Sequence, residues 1–281
     1  MYKEVGISSN NVPITLSIWY TERSCPTIVF LPGTMSHPLM YENFLCGLSE
    51  RGFNIIGIHY LSHGKSPKIK KNYTMEDLLH NVYDATTYGI ENFGENIAVM
   101  GSSQGGILAA MAAGRDTRLK AVFPHNIMLT TLKETMSLTK YPAWSHRFMG
   151  LIQWGFRVGG KLLPNYKVPG DAYLDYNKVF YSEQAKQDCL NDPMLLPYYP
   201  LRFVASLFNA DLSCLENGAI QCPVILITAK GDPLFSFDYT NKVFDLIHAP
   251  QKELLTLELN RHMIFNEDTD TTINALEPTL H

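Results

Sequence analysis

The 281-residue chain has no excess of positive charge: 23 Lys and Arg against 27 Asp and Glu leave a formal net charge of -4. A protein that grips nucleic acid through its phosphates gathers Lys and Arg on one surface. Here the densest basic cluster is Lys68, Lys70 and Lys71, read as a solvated loop, so nucleic acid is not expected as a partner. No run of about eighteen apolar residues exists, and no membrane span is expected. Met1-Tyr2-Lys3-Glu4-Val5-Gly6 lacks the apolar core of a secretion signal. Cysteine is scarce and odd in number. Cys25, Cys46, Cys189, Cys214 and Cys222 are scattered without a C-x-x-C pair, which argues against a zinc site or a disulfide frame and fits reduced thiols in a cytoplasmic protein. Internal repeats and low-complexity tracts are absent too. What remains, at 46% hydrophobic and 18% charged residues, can bury the core of one α/β domain with an insertion, or of two small domains.

The most informative stretch that is present runs from Glu95 to Ala113. A short apolar run, Ile97 to Met100, suits a buried strand. It leads into Gly101-Ser102-Ser103-Gln104-Gly105, which fits G-x-S-x-G with Ser103 in the centre, and then into the helix formers Ile107 to Ala113. A serine that must stand clear of a sheet can sit on a sharp strand-to-helix turn. The residues two before and two after it come too close for a Cβ, hence the glycines. Counting from Ser102 would leave Met100 and Gln104 in the glycine places. The plain alternative is a Gly-Ser loop that only reverses the chain.

Around this stretch, strand and helix signals alternate. Val5–Ser8 and Ile14–Tyr20 read as strands turned at Asn10-Asn11. Thr27–Leu31, Asn54–Ile58 and Leu119–Phe123 read as buried strands. A helix is expected over roughly Leu39 to Arg51, ended by Gly52, and another after Thr74, with Asp77 as a relative of the capping box. From about His125 to Gln221 no clear strand is seen, only helix-like pieces broken by proline and rich in aromatics. The alternation returns with Val224–Thr228, a helix over Phe237–Ile247, the strand Glu253–Leu259 and a C-terminal helix. Alternation of this kind predicts a parallel sheet covered by helices on both faces.

A serine hydroxyl needs a base to take its proton, normally a histidine, and a carboxylate to orient that base. In parallel sheets these groups stand just past the strand ends. Asp232, in Lys230-Gly231-Asp232-Pro233, and His262, in Asn260-Arg261-His262, meet that condition in the order Ser103, Asp232, His262. Asp232 could also be only a turn former, and His262 only a cap. Asp192, in Asn191-Asp192-Pro193, is the rival acid. His37 and His63 sit in loops that could border a pocket; His59, His80, His125, His146, His248 and His281 have weaker contexts. Stabilising a tetrahedral oxyanion calls for two backbone N–H donors, assigned to Gln104 and Thr34, with Met35 second to Thr34. The Gln104 side chain could equally be a surface amide. No metal ligand set is apparent.

These segments together resemble the α/β-hydrolase-fold serine hydrolases, in particular the monoglyceride lipase, lysophospholipase and serine aminopeptidase-like branch. Leu31-Pro32-Gly33-Thr34 stands in the place of the family's oxyanion loop, and Leu61-Ser62-His63-Gly64-Lys65-Ser66 resembles its R-G-H-G-x-S loop. Pro32 replaces the usual His, Ser62 the usual Arg, and His59 and Tyr60 stand where an Asp is frequent. The resemblance implies an α/β-hydrolase fold with a mostly parallel eight-stranded sheet covered on both faces. It also implies a helical lid, residues 125–221, inserted after the sixth strand into a core made of 1–124 and 222–281. The expected activity is hydrolysis of a carboxylic ester through an acyl-serine, without a cofactor, on a small-molecule ester with an apolar acyl or alkyl group. A thioester, amide or lactone substrate, or a non-catalytic ligand-binding protein on the same fold, are the alternatives.

Overall fold

A computed structural model describes residues 1–69 and 72–280. Lys70 and Lys71 of the basic cluster, and His281, lie outside the described residues. The chain begins with an antiparallel hairpin, β1 (Tyr2–Ser9) and β2 (Val12–Trp19). Its turn residues Asn10 and Asn11 have φ of 48° and 62°, the left-handed conformations that a two-residue hairpin demands and asparagine tolerates. Next come β3 (Thr27–Leu31), a 3-10 turn at Pro38–Tyr41, α1 (Glu42–Glu50), β4 (Asn54–His59), α2 (Met75–Phe93), β5 (Ile97–Ser102), α3 (Gln104–Ala113) and β6 (Ala121–His125). Every residue of β3 and β4 is buried, which is why these strands read as unbroken apolar runs rather than alternating ones.

Between β6 and β9 lie α4 (Met149–Leu162), β7 (Lys167–Val168), α5 (Tyr176–Val179), α6 (Glu183–Leu190), β8 (Tyr199–Pro200) and α7 (Leu201–Leu207). The chain closes with β9 (Val224–Ala229), α8 (Phe237–Leu246), β10 (Lys252–Leu257), α9 (Ile264–Glu267) and α10 (Thr269–Leu280). The sheet order is β1-β2-β4-β3-β5-β6-β9-β10, with β7 and β8 paired separately. From β4 to β10 all neighbours are parallel. Adjacent residues of one strand feed opposite layers. Val29 and Val99 join Leu78, Leu108, Phe203 and Val243 on one face, while Phe30 and Met100 join Phe44, Phe265 and Ile273 on the other.

The capping box on α2 is present: Thr74 Oγ1 accepts the Asp77 N–H and the Asp77 carboxylate accepts the Thr74 N–H. Among the boundaries that differ from expectation are those of α1, the sixth strand and the last strand. Pro38 opens a 3-10 turn, so α1 starts at Glu42 rather than near Leu39. The sixth strand runs two residues later than Leu119–Phe123, because Asp116 folds back onto the Arg118 N–H and guanidinium and holds 116–119 as a turn. The last strand stops at Leu257, and the strandless stretch contains the two-residue pair β7/β8. The second shift matters chemically, since it makes His125 the last residue of β6.

Candidate active site

Ser103 sits between β5 and α3 with φ 53° and ψ -110°, outside the regions a non-glycine residue normally adopts. The crossing is tight. A Cβ on Gly101 would lie 2.0 Å from the Gly105 carbonyl oxygen, and one on Gly105 would lie 2.0 Å from that of Leu31. The strained residue is pinned by its N–H donating to the His125 carbonyl (2.9 Å) and by its own carbonyl accepting from Gly106 N–H (2.8 Å). All of α3 is buried, so the elbow cannot relax outward.

Asp232 follows β9 and is buried. Its Oδ1 accepts the N–H groups of Leu234 (2.7 Å) and Phe235 (2.9 Å). Its Oδ2 accepts from His262 Nδ1 (2.8 Å) and Asn126 Nδ2 (2.9 Å). Burial opposes ionisation, but the facing His262 and the ring of donors outweigh it and hold the carboxyl below its ordinary range. Because a carboxylate only accepts, Nδ1 of His262 carries the proton and Nε2 is left as the free base. The His262 ring stacks on Phe235, 5.5 Å between centroids and 12° between planes, which fixes its orientation.

His262, Ser103 and Thr34 line one cavity. A second cavity shares Ser103, Thr34, Leu174 and Leu234 with the first, so the serine stands at their junction. Among the described residues no hydrogen bond joins Ser103 Oγ to His262. In unliganded hydrolytic sites this contact is often long and tightens with substrate.

The rival acid is elsewhere: Asp192 Oδ2 bonds His37 Nε2 (2.9 Å), and its Oδ1 accepts the Met194 N–H (2.7 Å). Of three successive amides in the loop after β3, two are engaged. Gly33 N–H donates to the Tyr41 hydroxyl (3.2 Å) and Met35 N–H to the Tyr199 hydroxyl (2.8 Å). Thr34 N–H has no acceptor among the described residues. Gln104 N–H, at the first position of α3, likewise has none. The Gln104 side chain is not a surface amide: it is buried and lines the second cavity.

Three residues that the sequence did not single out hold this arrangement. Asn126, with φ 60°, donates to Asp232 and accepts from Thr228 Oγ1 (3.2 Å). Its Nδ2 also donates to His125 Nε2 (3.0 Å), whose buried ring is held neutral, its pKa driven down to about 3. The strand-end rule that found Asp232 would have found Asn126 had β6 been ended at His125. Tyr199 is the third. His63 Nδ1–H donates to the Leu61 carbonyl (2.9 Å), so Nε2 accepts the Tyr199 O–H (3.0 Å) and the Tyr199 oxygen takes the Met35 N–H. Burial lowers the His63 pKa to about 4, keeping this ring neutral as well. His125, Asp232 and His262 bring ligand atoms within 4.8 Å of one another. Four N–H donors already fill the Asp232 oxygens, so the cluster is a hydrogen-bonded network rather than a cation cradle.

The sequence model of the family described as "Serine aminopeptidase, S33" matches residues 22–269. The chain belongs to this family. No protein of curated function matches it at a significant level. Among solved structures, a monoacylglycerol lipase of Paleococcus ferrophilus superposes with a TM-score of 0.78 at 19% identity, covering 95% of this chain and 98% of the other. A soluble variant of the Saccharomyces cerevisiae monoglyceride lipase, in complex with a substrate analogue, gives 0.76 at 17%, covering 98% and 94%. A carboxyl esterase of Bacillus coagulans gives 0.73 at 14%, covering 99% and 96%. At such identities the likeness is one of fold. This S33-family hydrolase departs from the common loop motif without losing its bonding. Ser62, at φ 65°, accepts the Ile69 N–H on Oγ (3.0 Å). His59 takes the Lys65 N–H on Nδ1 (3.1 Å) and meets Ser17 Oγ through Nε2 (3.0 Å).

Proposed function

We propose that the protein is a serine hydrolase that cleaves a carboxylic ester with an apolar acyl or alkyl group, of the monoacylglycerol or lysolipid kind, through an acyl-serine intermediate. The observation that carries this reading is the position of Ser103 at the junction of two apolar cavities, beside a histidine whose Nδ1 is held by a buried carboxylate. As Ser103 Oγ attacks the carbonyl carbon, His262 Nε2 takes its proton, and Asp232 stabilises the imidazolium. The developing oxyanion meets the Gln104 and Thr34 N–H groups, each such donor being worth about 2.7–4 kcal/mol in a comparable site. The alcohol leaves with the proton from His262. Water, deprotonated by the same nitrogen, then releases the acid and restores Ser103. The steps use no metal or organic cofactor.

The walls favour an ester over a peptide N-terminus. Binding a cationic α-amino group calls for a carboxylate, and neither cavity has an Asp or Glu among its described lining residues. Leu174, Tyr176, Val179, Phe180, Leu190 and Leu195 supply apolar surface instead. Since these come from the stretch between β6 and β9, we take residues 126–221 as a cap over a core of 1–125 and 222–281, one residue later than expected because His125 ends β6. The names of the structural relatives, two of them lipases of monoacylglycerols, agree with this substrate class. Five unpaired cysteines suit a reducing, cytoplasmic setting.

The test is hydrolysis of p-nitrophenyl acyl esters of rising chain length by the wild type and Ser103→Ala. Turnover that rises with acyl length and vanishes in the variant supports the reading. Turnover that survives Ser103→Ala contradicts it.

A further inference from the structure

A buried polar side chain without a protein partner is uncommon in a folded chain, because it has given up water and gained no bond in return. Two of them line the same cavity here. Both amide atoms of Gln104, Oε1 and Nε2, and the hydroxyl of Tyr173 are buried and have no hydrogen-bond partner among the described residues. Gln104 is 2% exposed and Tyr173 3%. Each borders the second of the two cavities that meet at Ser103. Other such groups, His37 Nδ1, Tyr60 Oη and His125 Nδ1, line neither cavity. Burial raises the Tyr199 pKa and the nearby Gln104 amide opposes that rise, yet neither amide atom meets the Tyr199 oxygen in hydrogen-bond geometry. That hydroxyl is already engaged by the Met35 N–H and by His63.

Neither group can turn to solvent. Gln104 opens α3, all of which is buried, and Tyr173 packs edge-on against Phe208, 5.8 Å between centroids. Burial drives the Tyr173 pKa well above its ordinary value, so the hydroxyl stays a neutral O–H. Ile107, Met128, Leu138 and Leu207 make the wall apolar around them, and no Asp, Glu, Lys or Arg is among its described lining residues. The Thr139 hydroxyl, also in the wall, is spent on the Met136 carbonyl (2.8 Å). A charged ligand group would be left unpaired in such a cavity, whereas a neutral oxygen would not. A hydroxyl matches best, since it can donate to Gln104 Oε1 and accept from Gln104 Nε2 or the Tyr173 O–H. A keto oxygen would use the two donors alone.

His262 decides which half of the substrate enters this cavity. It lines the first cavity and not the second. A leaving alcohol takes its proton from His262 Nε2, so the alcohol stands on the side of the first cavity and the acyl chain runs into the second. This step rests on the ester reading given above. The Gln104 side chain springs from the residue whose N–H meets the oxyanion, so its amide faces the part of the acyl chain close to the carbonyl carbon. We propose that the preferred substrates are esters of oxygenated acids, whose acyl chain carries a hydroxyl or keto group within its first few carbons, held by the Gln104 amide and the Tyr173 hydroxyl. The remainder of the chain meets the apolar wall.

The experiment compares kcat/KM of the full chain on methyl octanoate with methyl octanoates that carry one hydroxyl or one keto group at successive chain positions. A position near the carbonyl should be preferred over the plain ester by at least about tenfold, the effect of one or two hydrogen bonds to groups otherwise unpaired. Gln104→Met and Tyr173→Phe should each bring that ratio toward one. The ratio is taken within each variant, so any change in the shared chemistry cancels. Both variants should melt at or above the wild-type temperature, since an unpaired buried polar group gives way to an apolar one of similar size. An amide that serves the fold would instead melt lower when replaced. Equal rates on the plain ester and on every oxygenated one overturn the proposal, as does a ratio unchanged in both variants or a lower melting temperature for Gln104→Met. Turnover of these esters that survives Ser103→Ala overturns the acyl-serine reading and the assignment of the two arms with it. Loss of the preference while Ser103 remains essential overturns the present proposal alone.

Discussion

Asp232 differs from every other carboxylate described in the chain by accepting four N–H groups while almost fully buried. Replacing it by Asn keeps the volume but offers His262 Nδ1 a donor or a weaker acceptor, which favours the wrong tautomer. The expected loss in kcat for Asp232→Asn is about 10⁴-fold. Asp192→Asn should stay within a few-fold of wild type, since Asp192 serves His37 and the Met194 N–H. Steady-state rates on one ester decide between them, and the opposite pattern would return Asp192 to the role of acid. At this scale the positions of Ser103, Asp232 and His262 were legible because each follows a strand end in a recognisable local sequence. Asn126 and Tyr199 were not. Their partners, Asp232 and the Met35 amide, lie more than a hundred residues away, and no local pattern encodes such a contact.

Among the non-glycine residues at positive φ, two border the oxyanion site: Ser103 at the elbow and Met35 in the loop after β3, whose φ is 62°. For the elbow, Gly101→Ala or Gly105→Ala puts a methyl 2.0 Å from a carbonyl oxygen of the main chain. Neither strand nor helix can move aside inside a packed core, so both variants should be destabilised by more than about 3 kcal/mol. A melting temperature equal to wild type would refute the tight crossing. The Met35 loop is held from both sides: its N–H by Tyr199 and its carbonyl by the Leu196 N–H (3.0 Å). Tyr199→Phe should free the Met35 amide and loosen the neighbouring Thr34 donor, lowering kcat about tenfold with KM nearly unchanged, the pattern of a group that matters chiefly in the transition state. Tyr60→Phe also removes a buried hydroxyl, one without a partner among the described residues, and should leave kcat as it is. Strands and helices were readable from apolar runs and caps. The start of β6 was not, since the Asp116–Arg118 turn competes with a sequence that is already apolar at Leu119.

Across the whole molecule, several histidines are buried in neutral form. Burial brings His59 and His125 down to about 3 and His63 to about 4, and it lowers His37 as well despite Asp192. The unfolded chain takes up these protons near pH 6.5, whereas the folded one refuses them until far lower pH. Between those values the unfolded state binds more protons, so stability falls as pH falls. With up to about 1.4 kcal/mol per pH unit for each withheld proton, His59, His63 and His125 together give a slope of up to about 4 kcal/mol per unit below pH 6. The depressed Asp232 carboxyl acts with the same sign, its contribution being lost as pH drops through its folded value. Denaturant midpoints between pH 7.5 and 5 should decline steadily, and a flat profile would mean that these rings are not held neutral. The parallel sheet and its covering on both faces followed from the alternation of strand and helix signals, because burial on both faces leaves a plain mark on composition; the strand order did not. Of the aromatics in 125–221, Trp144, Trp154, Tyr166 and Tyr181 face outward while Tyr176 and Phe180 line the cavity, a division that composition alone does not encode.

The central claim is that Ser103 is the nucleophile and that His262, oriented by Asp232, activates it. Reaction of the intact protein with a fluorophosphonate, followed by peptide mass mapping, tests this most directly. One adduct per chain on Ser103, its formation slowed by several orders of magnitude in His262→Ala, is the predicted result. An adduct on another residue, or a Ser103 that labels equally fast without His262, would contradict it.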